Sequence, residues 1–370
     1  MTNESDPIAD AQALIAAGRP HDAARDLRAR LAGGRGGALA RTTLVTALLA
    51  SGDVRGALAE AREAVSLNPD VPAVLVALGQ ALLAAENLPA AIAELQRALR
   101  LDPEHLQARF LTGRAWAEAG EADKALEIFA SLDPATPGLD APLLAQWTAR
   151  ARAMKDAARS DPGYVRHLFD QFAADYDTRM RGPLAYAAPE ILRELFDLVH
   201  GAGMAMQGGL AILDLGCGTG LSGAAFQPLA SRMDGMDLSP AMIERARARG
   251  VYDRLMVGDI ETALALPGPS YDLILAADTL VYLGDLAPSF RGARFRLAPE
   301  GYFLFTVEAA DEGFSGDYSL GPKRRWRHSE AYLRAAAAAA GFAVAGLVTA
   351  APRQEAGLPV AGFAVALEAA

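Results

Sequence analysis

The chain has 370 residues, of which 52% are hydrophobic and 22% charged, and its formal net charge is -10. This length exceeds that of one ordinary domain, so two or three domains are expected. An acidic chain without a long basic run is a poor partner for a phosphate backbone, which disfavours nucleic acid binding. The single cysteine, Cys217, cannot form an internal disulfide or a thiolate zinc cluster, and no metal site is predicted.

The first ten residues, MTNESDPIAD, lack the basic and apolar regions of a secretory signal, so a cytoplasmic location is expected. Residues 335–352 carry no charge and could resemble a membrane span. They are mostly Ala and Gly, are interrupted by Gly341, and change from a helical to a strand-like pattern. This predicts a buried helix followed by a strand, with no membrane association.

The first part of the chain repeats with a period of 34 residues. Proline recurs at Pro69, Pro103 and Pro137. Each unit is predicted to form two antiparallel helices, which in the clearest unit cover residues 73–85 and 89–101. The same spacing relates the three small residues Ala57, Ala91 and Ala125.

This period and its contents resemble the tetratricopeptide repeat, which implies an all-α solenoid over residues 1–140. A further helix at about 142–158 is expected to cap the stack, because the end of a solenoid needs its apolar face covered. Residues 141–168 are therefore assigned to the capping helix and a linker. Two functions for the repeats stay open: a stabilising or dimerising appendage, or a concave surface for a peptide or protein partner.

In the second half, short apolar runs alternate with amphipathic stretches, which predicts βαβ units and a mostly parallel sheet. The last two predicted strands follow each other without a helix and are expected to pair antiparallel at one edge. Seven strands are predicted, at residues 211–214, 232–237, 254–257, 271–276, 301–308, 342–349 and 360–367.

A glycine-rich turn, Asp214-Leu215-Gly216-Cys217-Gly218-Thr219-Gly220, follows the first predicted strand and opens a helix. Glycine permits a tight turn with unusual backbone angles and a close approach of the backbone to a ligand. Alone, the pattern does not separate methyl-donor cofactors from dinucleotides, because nicotinamide dehydrogenases have a similar turn.

The acids around the turn favour one cofactor class. Asp214, directly before the turn, would repel a pyrophosphate but suits the ammonium group of an amino-acid moiety. Asp237, at the end of the second strand and followed by Leu238, can accept both hydroxyls of a ribose. After the third strand, Asp259 could accept the amino group of an adenine, and Ile260 could pack on its ring.

Residues 161–370 resemble the Rossmann-like S-adenosylmethionine-dependent methyltransferases in the order of LDLGCGTG, MDLSPAMIERA, GDIE, YDLILAADTLVYL and LAPEGYFLFTVE. The repeats in front, the segment 169–177 (FDQFAADYD) and the tail 353–362 resemble a bacterial group of predicted methyltransferases with tetratricopeptide repeats. The resemblance implies that residues 169–370 form an α/β domain with a seven-stranded, mostly parallel sheet and an antiparallel edge strand. It also implies S-adenosylmethionine as cofactor, bound by Asp214, Gly216, Gly218, Gly220, Asp237, Leu238, Asp259, Ile260, Asp278 and Tyr176.

The substrate side is less defined. Asp278, Tyr282 and His328 are the candidates for catalysis, and Tyr176 is a candidate lid residue over the cofactor. Where the group often has serine-glycine-arginine before its histidine, this chain has basic residues at 323–327, which leaves the substrate open. The basic cluster is either a solvated loop or a clamp for a carboxylate or phosphate.

Three functions are compatible with this pattern. The first is a methyltransferase that acts on an O or N atom of a small molecule. The second is a protein methyltransferase that recruits its target through the repeats, and the third is a non-catalytic scaffold that binds the cofactor. A hydroxyl or ammonium acceptor would need a base, whereas a carboxylate would not. A dehydrogenase is disfavoured, since the chain lacks a Tyr-x-x-x-Lys pair and a separate catalytic domain.

Overall fold

The structure is a computed structural model that describes residues 6–34, 36–200, 209–321 and 323–369. It comprises two compact units, residues 1–156 and residues 157–370. The domain limits expected from the sequence, at residues 140 and 168, stay a prediction. In the described ranges, no helix is long and apolar enough to cross a membrane.

The first unit is entirely helical, and consecutive helices pack against each other. The two helices predicted for the clearest repeat agree with α5 and α6, and the predicted capping helix agrees with α9. The helices are α1 (Pro7–Ala16), α2 (Pro20–Ala32), α3 (Ala38–Ala50), α4 (Val54–Leu67), α5 (Pro72–Ala84), α6 (Leu88–Leu101), α7 (Leu106–Glu118), α8 (Ala122–Ala130) and α9 (Ala141–Asp156).

Small residues set the distance between paired helices in this unit. A Cβ at Gly79 in α5 would lie 2.6 Å from Cγ of Leu95 in α6. One repeat later, a Cβ at Gly113 would lie 2.5 Å from the ring of Phe129. Each glycine therefore accommodates the large side chain of the second helix, which explains why small and large residues recur 34 positions apart.

The second unit begins with α10 (Pro162–Phe172), α11 (Tyr176–Arg181) and α12 (Ala188–His200). A sheet with helices on both faces follows. Its strands are β1 (Leu210–Leu215), β2 (Ala230–Asp237), β3 (Arg254–Val257), β4 (Tyr271–Ala276), β5 (Leu297–Ala309), β6 (Tyr318–Leu320), β7 (Trp326–His328), β8 (Phe342–Ala350) and β11 (Gly362–Ala369), with β9 (Gln354–Glu355) and β10 (Leu358–Pro359) forming a separate hairpin. The helices between them are α13 (Leu221–Phe226), α14 (Pro240–Arg249), α15 (Ile260–Ala265), α16 (Ala287–Arg296) and α17 (Glu330–Ala339).

The main path of the sheet runs β3-β2-β1-β4-β5-β11-β8. The first five strands are parallel, and β11 is antiparallel to both β5 and the edge strand β8. All seven predicted strands are present, and the fold class is confirmed. The sequence did not predict β6, β7, β9 and β10, which are only two or three residues long. The uncharged stretch forms the end of α17 and β8, with Gly341 at a φ of 80° between them.

The strand order reverses between β1 and β4. In open α/β sheets, ligands bind in the crevice outside the carboxyl ends of the strands at such a reversal. The core of both strands is buried on both faces, with Ile212, Leu213 and Leu275 at most 2% exposed. The fold therefore places the residues that follow β1, β2 and β4 around one crevice.

Candidate functional site

The turn after β1 holds three glycines in conformations that favour glycine. Gly216, Gly218 and Gly220 have φ angles of 66°, 54° and 92°, in the left-handed region that other residues rarely adopt. A Cβ at Gly216 would also lie 2.4 Å from Oγ1 of Thr279. A larger residue at Gly216 would therefore strain the backbone and displace Thr279.

Asp237 ends β2 and is fixed by the backbone of the loops around it. Its Oδ2 accepts a hydrogen bond from the Gly218 N–H at 2.9 Å, and its Oδ1 accepts one from the Ser239 N–H at 2.8 Å. Burial raises the pKa of Asp237 to about 6, although these backbone hydrogen bonds oppose the shift. The carboxyl group thus has a fixed orientation before any ligand binds.

Asp214 ends β1 and is 1% exposed. The Tyr252 hydroxyl donates a hydrogen bond to its Oδ2 at 2.7 Å. Burial raises the pKa of Asp214 to about 7, and the Tyr252 hydrogen bond opposes this shift. Its Oδ1 is buried and has no hydrogen-bond partner among the described residues. A buried oxygen in this state requires a donor, which a ligand or water can supply.

Asp259 begins α15 and accepts a hydrogen bond from the Thr262 N–H at 3.0 Å. Arg159 forms ion pairs with both Asp259 and Glu261. Burial alone would raise the pKa of Asp259, but the hydrogen bonds from Arg159 and Thr262 bring it below its usual value. Ile260, the next residue, is 7% exposed. Asp259 is therefore ionised and already engaged by an arginine from the start of the second unit.

Two aromatic residues from α10 and α11 lie against the crevice. The rings of Phe169 and Tyr176 are 6.2 Å apart, and the rings of Phe169 and Tyr282 are 5.6 Å apart at 82°. Burial raises the pKa of the Tyr176 hydroxyl well above its usual value. These edge-to-face contacts are the arrangement that aromatic pairs favour.

The acidic residue after each of these aromatics attaches the same segment to a cofactor loop. Asp170 accepts hydrogen bonds from the Ser239 hydroxyl and, at 3.3 Å, from the Ala241 N–H at the start of α14. Asp177 accepts hydrogen bonds from the Thr219 hydroxyl in the glycine turn and from Arg249. The segment FDQFAADYD thus supplies two aromatic side chains to the crevice and two carboxylates that hold it there.

Asp278 follows β4 and has a φ of 54°. Its N–H donates to Oγ1 of Thr306 at 2.8 Å, and its carboxylate forms an ion pair with Arg353. Burial raises the pKa of nearby Tyr282, although the positive charge of Arg325 opposes the shift. Asp278 is thus held by a counterion, and Tyr282 is protonated at neutral pH.

His328, which the sequence grouped with Asp278 and Tyr282 as a candidate for catalysis, does not border the crevice. His328 is 0% exposed, its Nε2 is 3.0 Å from the carbonyl oxygen of Gly284, and burial lowers its pKa to about 4. Its ring stacks with that of Tyr332, with centroids 5.9 Å apart. His328 is therefore neutral and enclosed by its neighbours, and its role in catalysis stays a prediction.

A cavity occupies the crevice. Asp214 and Gly220 are not part of its lining, and Asp214 is buried at the end of β1. The lining includes eight of the ten predicted cofactor residues, namely Tyr176, Gly216, Gly218, Asp237, Leu238, Asp259, Ile260 and Asp278, together with Tyr282.

Two arginines at this site were not found from the sequence. Arg159 lies 100 residues before its partner Asp259, and Arg353 lies 75 residues after its partner Asp278. Arg353 begins the tail segment 353–362, which the sequence singled out without a role. Arg159 carried no signal, since it precedes an ordinary helix start at Asp161-Pro162.

Two family descriptions match the chain. Residues 213–305 match the family described as a methyltransferase domain. Residues 42–105 and 76–140 match the family described as a tetratricopeptide repeat.

Curated relatives are similar over part of their length. Malonyl-[acyl-carrier protein] O-methyltransferase of Serratia marcescens is 29% identical over 147 residues, which cover 40% of this chain and 53% of the relative. Methyltransferase-like protein 27 of Homo sapiens is 33% identical over 133 residues, covering 35% of this chain and 53% of the relative. The chain therefore spans about half the length of these two relatives.

Among solved structures, magnesium protoporphyrin IX methyltransferase from Synechocystis PCC 6803 with bound SAH has a TM-score of 0.45 at 17% identity. The similarity covers 57% of this chain and 100% of that one. An S-adenosylmethionine-dependent methyltransferase from Mesorhizobium loti has a TM-score of 0.38 at 25% identity, and the similarity covers 47% of this chain and 96% of that one. The chain therefore contains a stretch similar to tetratricopeptide repeats at residues 42–140 and a stretch similar to a methyltransferase domain at residues 213–305, and the second stretch covers β1 to β5 of the sheet.

Proposed function

We propose that the protein is an S-adenosylmethionine-dependent methyltransferase that transfers a methyl group to an O or N atom of a small molecule. The observation that supports it most directly is the joint placement of Gly218, Asp237 and Asp259 on one cavity. The Asp237 carboxylate is held by the Gly218 N–H, so the turn and the acid form one unit. They lie at the carboxyl ends of the neighbouring strands β1, β2 and β3, which fits the methionine, ribose and adenine parts of the cofactor.

Two further features fit this cofactor better than a dinucleotide. Oδ1 of Asp214 is buried without a partner in the described ranges, and an ammonium group or a bridging water would satisfy it. A buried carboxylate at this place would repel a pyrophosphate. The bare backbone at Gly218 leaves room that a Cβ would occupy, since the nearest atom that such a Cβ would meet is in the Tyr176 ring at 3.9 Å.

When bound, S-adenosylmethionine supplies a methyl group on a sulfonium, which is a good leaving group. The protein then has mainly to position the acceptor and exclude water, and positioning alone can contribute roughly 7–11 kcal/mol. Phe169, Tyr176 and Tyr282 line the cavity and can exclude water around the reacting atoms. The Tyr282 hydroxyl is protonated at neutral pH and can donate a hydrogen bond to the acceptor.

The acceptor end of the cavity is poorly equipped for proton removal. Asp278 is neutralised by Arg353, and the pKa values of Tyr176 and Tyr282 are raised by burial. We therefore infer that the acceptor atom is already ionised or loses its proton to solvent. Asp278 and Tyr282 would orient the acceptor, and neither would act as a strong base.

A protein methyltransferase is a second candidate, and one observation in the first unit favours it. An open groove lies on that unit, with both polar and apolar walls. Such a groove can take an extended peptide. Its lining residues are Gln80, Asp102, His105, Leu106, Gln107, Phe110, Leu111, Arg114, Gly138, Leu139, Asp140 and Leu143.

Calorimetric titration with S-adenosylmethionine and S-adenosylhomocysteine tests the cofactor. The wild type should bind both, and Asp237→Asn should weaken binding by about 10–100-fold, the loss of one or two hydrogen bonds to a charged group. Asp197→Asn, an exposed aspartate on α12, is the control and should bind normally. No binding by the wild type at high micromolar cofactor would remove both enzyme candidates.

Incubation with methyl-labelled cofactor and a cell extract separates the remaining functions. Label in small molecules supports the main proposal. Label in protein that disappears when residues 1–156 are deleted supports recruitment through the repeats. A protein that binds the cofactor but transfers no label to any fraction would be a non-catalytic scaffold.

A further inference from the structure

The ring of Tyr252 lies between the glycine turn and β2, in a space that three glycines leave open. A Cβ at Gly220, the last glycine of the turn, would lie 2.9 Å from this ring, and a Cβ at Gly235 in β2 would also lie 2.9 Å from it. A Cβ at Gly223 in α13 would overlap the Tyr252 hydroxyl oxygen. The bare backbone at these three positions therefore admits the tyrosine.

The backbone that carries Tyr252 is attached to β2. The Asp253 N–H donates a hydrogen bond to the Met233 carbonyl oxygen at 2.8 Å, and Oδ2 of Asp253 accepts one from the Met233 N–H at 2.8 Å. On the other side, Gly250 ends α14 with a φ of 73°. Tyr252 therefore has little freedom to leave the space between the turn and β2.

The Tyr252 hydroxyl occupies one oxygen of Asp214 and leaves the other without a partner. It donates to Oδ2 at 2.7 Å, whereas Oδ1 is buried and has no hydrogen-bond partner in the described ranges. An ionised carboxylate can accept hydrogen bonds at both oxygens, so Oδ1 still requires a donor. Since the hydroxyl holds Oδ2, the direction in which Oδ1 is presented is fixed.

The titratable groups around Asp214 supply no positive charge. They are Asp237 in β2, Cys217 in the turn, Tyr186 before α12, and Tyr252 itself. Burial raises the pKa of Asp214 to about 7, the hydrogen bond from Tyr252 opposes the shift, and the charge of Asp237, which lines the cofactor cavity, adds to it. A buried carboxylate without a counterion is costly, so a cationic group of a ligand would stabilise it.

We propose that Tyr252 is a positioning residue for the ammonium group of the cofactor: its hydroxyl favours the ionised form of Asp214 and directs the free Oδ1 towards that group, directly or through one water. The inference rests on the proposed function and deepens it. Tyr252 does not line the cavity and acts on the ligand only through Asp214. Its effect should therefore depend on pH and on the presence of an ammonium group in the ligand.

The first test compares the affinity of the full-length wild type and of Tyr252→Phe for S-adenosylhomocysteine by calorimetry. Loss of one hydrogen bond to a charged group should raise the ionisation midpoint of Asp214 by about one pH unit. The variant should then bind about eightfold more weakly at pH 6.5 and less than about twofold more weakly at pH 8.5. The result at pH 8.5 also shows whether the variant is folded. The same loss at both pH values, or no loss at either, would overturn the proposal.

A ligand without an ammonium group provides the second comparison. 5′-Methylthioadenosine shares the adenosine and the sulfur of the cofactor but lacks the amino-acid part, so Tyr252→Phe and the wild type should bind it equally at both pH values. A loss as large as that for S-adenosylhomocysteine would overturn the proposal. Tyr302→Phe is the matched control, because its hydroxyl donates to Glu368 and it does not line the cavity. An effect of this control equal to that of Tyr252→Phe would also count against the role of Tyr252.

The double variant Asp214→Asn/Tyr252→Phe tests whether Tyr252 acts through Asp214. An amide has no charge for the hydroxyl to stabilise, so adding Tyr252→Phe to Asp214→Asn should change the affinity for S-adenosylhomocysteine at pH 6.5 by less than about twofold. Additive losses would overturn the proposal. If the wild type binds neither ligand, the proposed function itself fails. If the wild type binds and the effect of Tyr252→Phe does not depend on pH, only the role of Tyr252 fails.

Discussion

Arg353 is 1% exposed and forms an ion pair with Asp278 directly after β4. Its other terminal nitrogen pairs with Glu308 in β5. Removal of one partner from a buried ionic group leaves the others uncompensated, which typically costs about 3–5 kcal/mol. Arg353→Met, which keeps much of the side-chain volume, should therefore lower the free energy of unfolding of the second unit by about that amount.

Scanning calorimetry can check this effect in the full chain. The transition that shifts when S-adenosylhomocysteine is added reports the second unit. Arg334→Met is the matched control, since its pair with Glu330 is half-exposed and should change stability by less than about 0.5 kcal/mol. A similar, small effect of both substitutions would show that the Arg353 network does not stabilise the fold.

The buried Asp214 predicts pH-dependent cofactor binding. Burial raises its pKa to about 7 in the free protein, and only its ionised form attracts an ammonium group. Affinity for S-adenosylhomocysteine should thus be constant above about pH 8 and approach a tenfold loss per pH unit below pH 7, as for one linked proton. Below pH 6, protonation of Asp237 should steepen the loss. Titrations between pH 5.5 and pH 8.5, in buffers of different ionisation enthalpy, would measure both the affinity and the proton release.

Ionisation of the Asp214 carboxyl group, which favours cofactor binding, lowers the stability of the free protein. Because burial raises its folded pKa from the usual 3.8 to about 7, the folded state binds an extra proton between about pH 4 and pH 7, and stability falls as the pH rises through this range. Asp214→Asn should therefore bind the cofactor weakly, with little pH dependence above pH 6.5, while raising the unfolding temperature of the free protein at pH 8. Cofactor affinity that does not change between pH 6 and pH 8 in the wild type would contradict this role of Asp214.

Contacts that are local in sequence were predictable, and contacts between distant segments were not. The glycine turn and Asp237 were recognisable because a strand, a turn and a helix start occupy neighbouring positions. The pairing of Arg353 with Asp278 spans 75 residues and depends on how the tail returns beside β5. The contact of His328 in β7 with the Gly284 carbonyl spans 44 residues and was likewise not predictable from the sequence.

The hydrogen bonds of Asp177 are expected to slow the dissociation of the bound cofactor. It links α11 to the glycine turn through Thr219 and to Arg249, which in turn donates to the Thr219 carbonyl at 2.7 Å. Asp177→Ala should loosen the segment that carries Tyr176, and speed the dissociation of S-adenosylhomocysteine about tenfold, as expected for a partly exposed charged hydrogen bond. Stopped-flow displacement would measure the rate.

Asp175 provides a control on the same segment. Its carboxylate pairs with Arg179 four residues later and is half-exposed. Asp175→Ala removes the same charge without touching the glycine turn, so the dissociation rate should stay at the wild-type value. If both substitutions accelerated dissociation equally, the effect would come from the helix itself and the contact with Thr219 would carry no special role.

The close approach of Gly79 in α5 to Leu95 in α6 predicts that a larger residue at position 79 lowers the stability of the repeats. In a helix interior, alanine is normally about 1 kcal/mol more favourable than glycine. Here a Cβ would lie 2.6 Å from Cγ of Leu95, which is 0% exposed, and overpacking costs about 1–3 kcal/mol. Gly79→Ala should therefore be neutral or destabilising, by up to about 2 kcal/mol, in the transition that the cofactor does not shift.

The double variant Gly79→Ala/Leu95→Ala tests whether contact between these two positions causes the loss of stability. Leu95→Ala alone should cost about 2–5 kcal/mol because it leaves a cavity between α5 and α6. The added methyl at Gly79 would fill part of this cavity and regain the helix propensity of alanine, so the double variant should be more stable than the sum of the single effects predicts. Residues in contact typically deviate from additivity by 0.5 kcal/mol or more. Strict additivity would mean that the two side chains do not meet and that the spacing of 34 residues reflects something other than this contact.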